Sequence, residues 1–268
     1  MNTTPTVGRD ILLRDLERIG IRPGMDLLVH SSLSAIGYVP GGADTVIGAL
    51  LEQVDAERGT VLVPTLTGTI RDGPDHPPNF DQARSVCWTG IIPETFRRRP
   101  DALRSLHPTH SAAAIGRRAE FYTAGHENCF TPCGEGSPYL KLSEEGGSIL
   151  LLGVTLQSNT MFHAIEELRK LEYHLQREPT VCRMVAGTGE IVRREMMLHD
   201  WGTTRNFQAL HQELLDSGIM QTGRVGLAES FLIDARRLVE YTLAKLQQDR
   251  AALIVTNREN SEGERNNQ

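Results

Sequence analysis

An unbroken apolar run, Ile149-Leu150-Leu151-Leu152-Gly153-Val154, passes almost directly into Ser158-Asn159-Thr160-Met161-Phe162-His163-Ala164-Ile165-Glu166-Glu167, whose apolar positions recur at helical spacing. A short continuous apolar run reads as a strand buried on both faces, and a Ser/Asn cap after it starts a helix. The pair therefore predicts a central strand that delivers a helix N-terminus. On that helix His163 and Glu166 lie three residues apart and share a face, with Thr160 one turn earlier. A carboxylate so placed can orient an imidazole and balance its charge, which makes the two a candidate acid–base couple. The competing reading is a solvated helix carrying an ordinary exposed His and Glu.

The rest of the chain alternates around this unit. An amphipathic helix is predicted from Gly8 to Gly20, then a strand from Met25 to His30. A Ser/Gly-rich stretch, Ser31 to Tyr38, leads to a helix from about Ala43 to Val54. Such a loop at a helix start can cradle an anion, because serine hydroxyls and backbone N–H groups converge there; the alternative is a turn that simply uses small residues. Thr60 to Thr65 reads as the next strand, parallel to the first. From Leu66 to Ser85 the periodicity disappears, and Asp72, Asp75, His76 and Asp81 sit among glycines and prolines. A loop this long inside a compact domain suggests either a segment for a cationic ligand or a surface excursion.

A short helix follows around Gly90 to Arg98, whose basic end, Arg97-Arg98-Arg99, reads as solvated. Arg104-Ser105-Leu106-His107-Pro108-Thr109-His110-Ser111 then precedes a small-residue strand. A metal site, a phosphate or pantetheine contact surface and a hydrogen-bonded turn all fit it. Helices are predicted from Ala119 to Gly125 and through Glu145, and after Tyr173 the segments Thr180–Ala186 and Glu190–Leu198, joined by Gly187-Thr188-Gly189, read as a β-hairpin. A helix at Phe207–Leu215, a short strand at Arg224–Ala228 and an amphipathic helix at Ile233–Gln248 complete the pattern. Thr256 to Gln268 reads as a disordered polar tail.

Several function classes fall away. The formal net charge of -6 and pI near 5.9 provide no basic face for nucleic acid. No apolar run approaches the roughly 18 residues that would span a bilayer, and no secretory leader is visible, so a cytoplasmic enzyme is expected. Four unevenly spaced cysteines, Cys87, Cys129, Cys133 and Cys182, form neither a disulfide framework nor a zinc knuckle and read as reduced structural thiols. There is neither a P-loop nor a dinucleotide fingerprint.

Taken in order, Val29 to Gly37, Arg104 to Ser111, Gly136-Ser137-Pro138, Leu152-Gly153-Val154 and Thr160 to Glu166 resemble the aminoglycoside 3-N-acetyltransferase family, over about residues 8 to 248. The resemblance implies an acetyl-CoA-dependent N-acyltransferase that needs no metal and acts on a small cationic aminoglycoside, as a monomer or homodimer. Its expected architecture is one α/β domain, residues 1–255, with a central, mostly parallel mixed sheet flanked by helices and an antiparallel β-hairpin extension. It further implies that His30, Ser31, Ser32, Leu33, Ser34 and Gly37, together with Arg104, Ser105, His107, Pro108, Thr109 and Ser111, contact CoA. Thr160, His163 and Glu166 match the catalytic segment, and Asp72, Asp75 and Glu167 are the candidate substrate-facing acids. The rival classes are a metal-dependent hydrolase built on His107, His110 and His163, a non-catalytic CoA- or nucleotide-binding module, and an acyltransferase for a different amine.

Overall fold

Side chains alternate across a strand, so a sheet covered on both sides needs strands that are apolar at every position. Residues 27–29, 61–63 and 149–152 meet that requirement, and the strands built on them, Asp26–Ser31, Thr60–Pro64 and Ser148–Leu152, form the middle of the sheet in the computed structural model, which describes residues 5–255. The polar tail expected from Thr256 onward lies outside the described residues. In chain order the elements are α1 Arg9–Arg18, β1 Asp26–Ser31, α2 Leu33–Ile36, α3 Gly42–Val54, β2 Thr60–Pro64, β3 Asn79–Asp81, α4 Ile91–Phe96, β4 Leu103–Arg104, β5 Ala112–Gly116 and α5 Ala119–Thr123. There follow α6 Pro138–Glu144, β6 Ser148–Leu152, α7 Met161–Leu168, β7 Thr180–Val185, β8 Ile191–Met196, α8 His211–Asp216, β9 Met220–Val225, β10 Ala228–Asp234 and α9 Ala235–Gln248.

The seven-stranded sheet has the order β4-β5-β2-β1-β6-β10-β9. β2, β1 and β6 are mutually parallel, while β5 and β10 run against them, so five of the seven strands point one way. Leu27, Val29, Val61, Val63, Leu150 and Leu152 pack on one side against α1, α3 and α4. Leu28, Leu62, Ile149 and Leu151 pack on the other against α5, α6, α7 and α9. Each such side chain contributes about 1.5–3 kcal/mol of burial. The single-residue alternation across three adjacent strands therefore holds both helical layers in register.

Gly153, at φ +70°, ends β6. A Cβ there would stand 2.5 Å from the Ala35 Cβ, so only glycine lets the strand end close on α2. That contact sets the β6–α7 junction beside the serine loop.

Four expectations need correction. The hairpin β7–β8 extends not the main sheet but a separate three-stranded one, in which β3 pairs in parallel with β7. β3 lies in the stretch expected to be loop; its Phe80 has an apolar partner set in Leu106, Cys182, Met184, Met196 and Leu198, which no local pattern announces. The expected short strand at Arg224–Ala228 is instead the turn of a hairpin, β9–β10, and β10 takes the first residues assigned to the last helix. Arg97 is buried rather than solvated: its guanidinium donates to Glu94 at 2.6 and 2.7 Å and to the Ala83 carbonyl at 2.9 Å, because the loop before α4 folds over the helix end. All four cysteines are free and buried, and among the described residues no helix is long and apolar enough to cross a membrane.

Candidate active site

The helix carrying His163 and Glu166 starts as its sequence suggests and ends as it does not. Asn159 Oδ1 accepts the Met161 N–H at 3.1 Å and caps α7, with Thr160 as the residue before the first helical turn. At the other end Lys170 adopts φ +50°. Its N–H donates to the Glu167 carbonyl and the Leu171 N–H to the Glu166 carbonyl, closing a Schellman motif without glycine. This turn sends the chain back beneath the helix, and so brings His174 to Glu166.

Glu166 is the hub. Its Oε2 accepts from His163 Nδ1 at 2.8 Å and lies 2.9 Å from His174 Nδ1. Arg205 Nε stands 3.4 Å from Oε1, and the same guanidinium is anchored on the carbonyls of Asp200 and Thr203. Burial alone would raise the carboxyl pKa, but the two imidazole contacts outweigh it and hold Glu166 well below the usual carboxylate range. For His163 burial prevails over Glu166, and the ring titrates below its ordinary value. His174 goes the other way, because two carboxylates outweigh its burial. His163 is thus a neutral imidazole near pH 7 with its Nδ1–H held, which leaves the other nitrogen as the acceptor.

His163 retains 15% side-chain exposure, and it spends that exposure on a cavity of about 430 Å³. Thr160, Ser158, Trp88, Trp201, Arg205 and His30 line the same space. A second cleft of about 530 Å³ is formed by Ser31, Ser32, Leu33, Ser34, Gly37 and the start of α3. Ser31 belongs to both, so the two spaces meet at one residue. The Ser31 Oγ is buried without a partner, as is His30 Nε2. Burial, aided by His163, lowers the His30 pKa to about 3 and keeps that ring neutral. Hydroxyls and the positive end of the 13-residue α3 give the second cleft the donors that an anionic, phosphate-bearing ligand requires.

The other sequence-predicted residues divide sharply. The serine loop lines the second cleft, but the Arg104 to Ser111 segment lines neither space. Arg104, expected to contact CoA, donates to the Thr65 and Ser111 hydroxyls and to the carbonyls of Thr65, Gln82 and Ser85, and stacks 4.7 Å over Phe80, so its guanidinium is committed to the protein interior rather than to either space. Ser105 Oγ bonds His126, His107 Nδ1 accepts the backbone N–H of Thr109 and His110, the Pro108 carbonyl accepts from Thr67, and Ser111 pairs with Thr65. The hydrogen-bonded turn is the arrangement found, and His107 does not join His163 in a metal set.

Among the expected acids, Glu167 is buried, accepting the Cys133 N–H and the His199 Nε2 proton. Asp72 lies behind Trp201 in a narrow crevice, and Asp75 is exposed and outside the cavities. No described carboxylate lines the cavity beside His163. His174, His199, Trp201 and Arg205 were not anticipated. They arrive on segments 174–176 and 198–205, which run side by side through a bridge between Leu175 and His199, and nothing in the local sequence signals that pairing.

Residues 28–247 match the family described as aminoglycoside 3-N-acetyltransferase. The chain is 34% identical to aminoglycoside N(3)-acetyltransferase VII of Streptomyces paromomycinus, over 90% of this chain and 92% of the relative. Among solved structures, AAC-IIIb in its binary complex with CoASH aligns at 31% identity and TM-score 0.78, covering 91% of this chain and 97% of that one. A mutant of AAC(3)-IVa in complex with gentamicin aligns at 28% identity and TM-score 0.82, covering 97% and 96%.

Proposed function

The chain belongs to the aminoglycoside 3-N-acetyltransferase family, and from that premise we propose that it moves the acetyl group of acetyl-CoA to the 3-amino group of a 2-deoxystreptamine aminoglycoside, in a ternary complex with His163 as general base. The observation that carries this reading is the His163–Glu166 couple at 2.8 Å, whose imidazole faces a cavity that meets a phosphate-friendly cleft at Ser31.

Acetyl-CoA supplies the acyl group as an activated thioester. Ser31, Ser32, Ser34 and the backbone at the start of α3 would hold it, with Leu33 and Gly37 shaping the cleft. An amine attacks only when neutral, so a positioned base near neutral pH lowers the barrier. His163 accepts that proton; Glu166 fixes the ring through Nδ1 and stabilises the imidazolium that forms. Arg205 and His174 keep Glu166 ionised and in place. Thr160, on the cavity wall one turn before His163, is the hydroxyl nearest in sequence to the base and would assist the carbonyl or sulfur. Direct transfer is favoured because the four thiols are buried, and burial raises those of Cys129, Cys133 and Cys182 away from the thiolate.

One observation supports a second reading. A polycation is ordinarily met by carboxylates, and none lines the cavity beside His163, which Trp88 and Trp201 wall instead. A less charged amine, such as an intermediate in making a natural product, suits those walls. The test is mass analysis of the product formed from acetyl-CoA with and without an aminoglycoside, with the acetylated position located. Acetylation at the 3-amino group supports the first reading. Tight CoA binding without transfer selects the second, and no CoA binding sinks both.

A further inference from the structure

Metal-binding histidines have a recognisable surrounding: the nitrogen that does not ligate is held by a carboxylate or carbonyl, which fixes the tautomer and aims the other nitrogen. Two imidazoles here have it outright, and in a third, His174, Nδ1 lies between Glu166 and the Arg205 guanidinium, whose Nη2 is 3.3 Å away. Glu166 holds Nδ1 of His163 at 2.8 Å and stands 2.9 Å from Nδ1 of His174, and Glu167 holds Nε2 of His199 at 2.8 Å. The opposite nitrogens of His174 and His199 are buried with no hydrogen-bond partner; His174 Nε2 is 3.6 Å from Glu167, too long for one. Ring centroids are 5.4 Å apart for His163 and His174, 4.9 Å for His163 and His199, and 4.2 Å for His174 and His199. Each ring offers a nitrogen within 4.8 Å of the others'.

We propose that His163, His174 and His199 form a three-histidine site for a divalent transition-metal ion, zinc above all, and that such an ion inhibits acetyl transfer by occupying the imidazole that must accept the amine's proton.

Tetrahedral zinc with nitrogen ligands needs them roughly 3.3 Å apart. The rings have to close by about 1.5 Å at most, which small side-chain rotations supply. Two buried carboxylates, Glu166 and Glu167, face the ion, with Arg205 as a cation beside them, 3.4 Å from Glu166, so an ion that displaces the His174 proton leaves the cluster's charge close to balanced. Entry is through the cavity past His163, the member of the three that reaches it. That leaves the fourth position open to water or substrate amine. A rival set, His110, Cys133 and His199, is buried and is reached through the narrow crevice that His110 and His199 line.

The ion site stands without the catalytic reading; the inhibition rests on it. Chelator-treated protein is titrated with cobalt(II) and, by calorimetry, with zinc, and acetylated product is measured by mass after preincubation with zinc and after renewed chelation. The expected result is one ion per chain, a visible tetrahedral cobalt spectrum without a thiolate charge-transfer band, and transfer lost with zinc and restored by chelator. His174→Gln and His199→Gln should each weaken binding at least about tenfold. Absence of stoichiometric binding, or unchanged affinity in two folded variants, overturns the site. A thiolate band assigns the ion to the Cys133 set and overturns it as well, and because this readout uses the wild-type protein it decides even where a variant fails to fold. Binding with undiminished transfer overturns the inhibition alone. Failure of the acetyltransferase reading is separately visible, as no transfer in the metal-free protein.

Discussion

His107, His110 and His126 lie beside the start of β5, with His107 and His126 stacked at 4.4 Å, whereas His163, His174 and His199 surround two carboxylates at a cavity wall. The first group is bonded to neutral partners: Ser105 and the Pro132 carbonyl hold His126, backbone N–H groups hold His107, and the Thr109 hydroxyl holds His110. The second is bonded to anions. Neutral partners make histidine a spacer in a closed turn; anionic partners make it a group whose proton can move. Local density of polar residues does not separate these cases, since the first group is the denser in sequence.

The comparison breaks most easily at His163. His163→Ala is expected to cut turnover by about 10²–10⁴ while leaving CoA affinity within a small factor; equal loss of both, measured by single-turnover kinetics and CoA titration, would move His163 out of the base role. Next in size is acid sensitivity seated in the closed group. Burial lowers the His126 pKa to about 3, against a bonding carbonyl that raises it, and lowers His107 well below its ordinary value. The unfolded chain therefore takes up protons first as pH falls. The stability that these neutral rings confer is full above about pH 6.5 and is lost as pH drops toward 3, at up to about 1.4 kcal/mol per pH unit for each ring. Urea midpoints between pH 7 and 4 should show that slope, and His126→Gln should flatten it; an unchanged slope would put the acid sensitivity elsewhere. The smallest effect is at the turn that builds the second group. A left-handed lysine is strained by about 1 kcal/mol, so Lys170→Gly is expected to raise stability by about 0.5 kcal/mol with turnover unchanged; a loss would show that the Lys170 side chain does more than fill the turn.

That turn also marks where legibility stops. The β6–α7 unit, the His163–Glu166 face and the serine loop could be read because each is a local pattern: an apolar run, a three-residue spacing, small residues before a helix. Leu27 to Val29, Val61 to Val63 and Ile149 to Leu152 likewise announce a core strand each. Lys170 announces nothing, because the usual residue at that position is glycine, and so His174 was invisible although it lies eight residues from Glu166. His199 and Arg205 depend on segments brought together by the second sheet, whose β3 strand hid in a proline-rich stretch. Arg104 misled for the converse reason: a sequence shows that an arginine is present, not that Thr65, Gln82 and Ser85 have already taken its donors.

The cavity beside His163 and the cleft along the serine loop touch at Ser31, and each has lining residues of its own. With acetyl-CoA and the amine seated as proposed, neither ligand has to travel through the other's space. Addition should accordingly follow no compulsory order, with each substrate able to enter first, and either product able to depart while the other is still seated. Initial rates measured at several fixed concentrations of the second substrate should then give intersecting reciprocal lines, with a dead-end analogue of either substrate competitive against its own and noncompetitive against the other; uncompetitive inhibition by one of them would show a compulsory order.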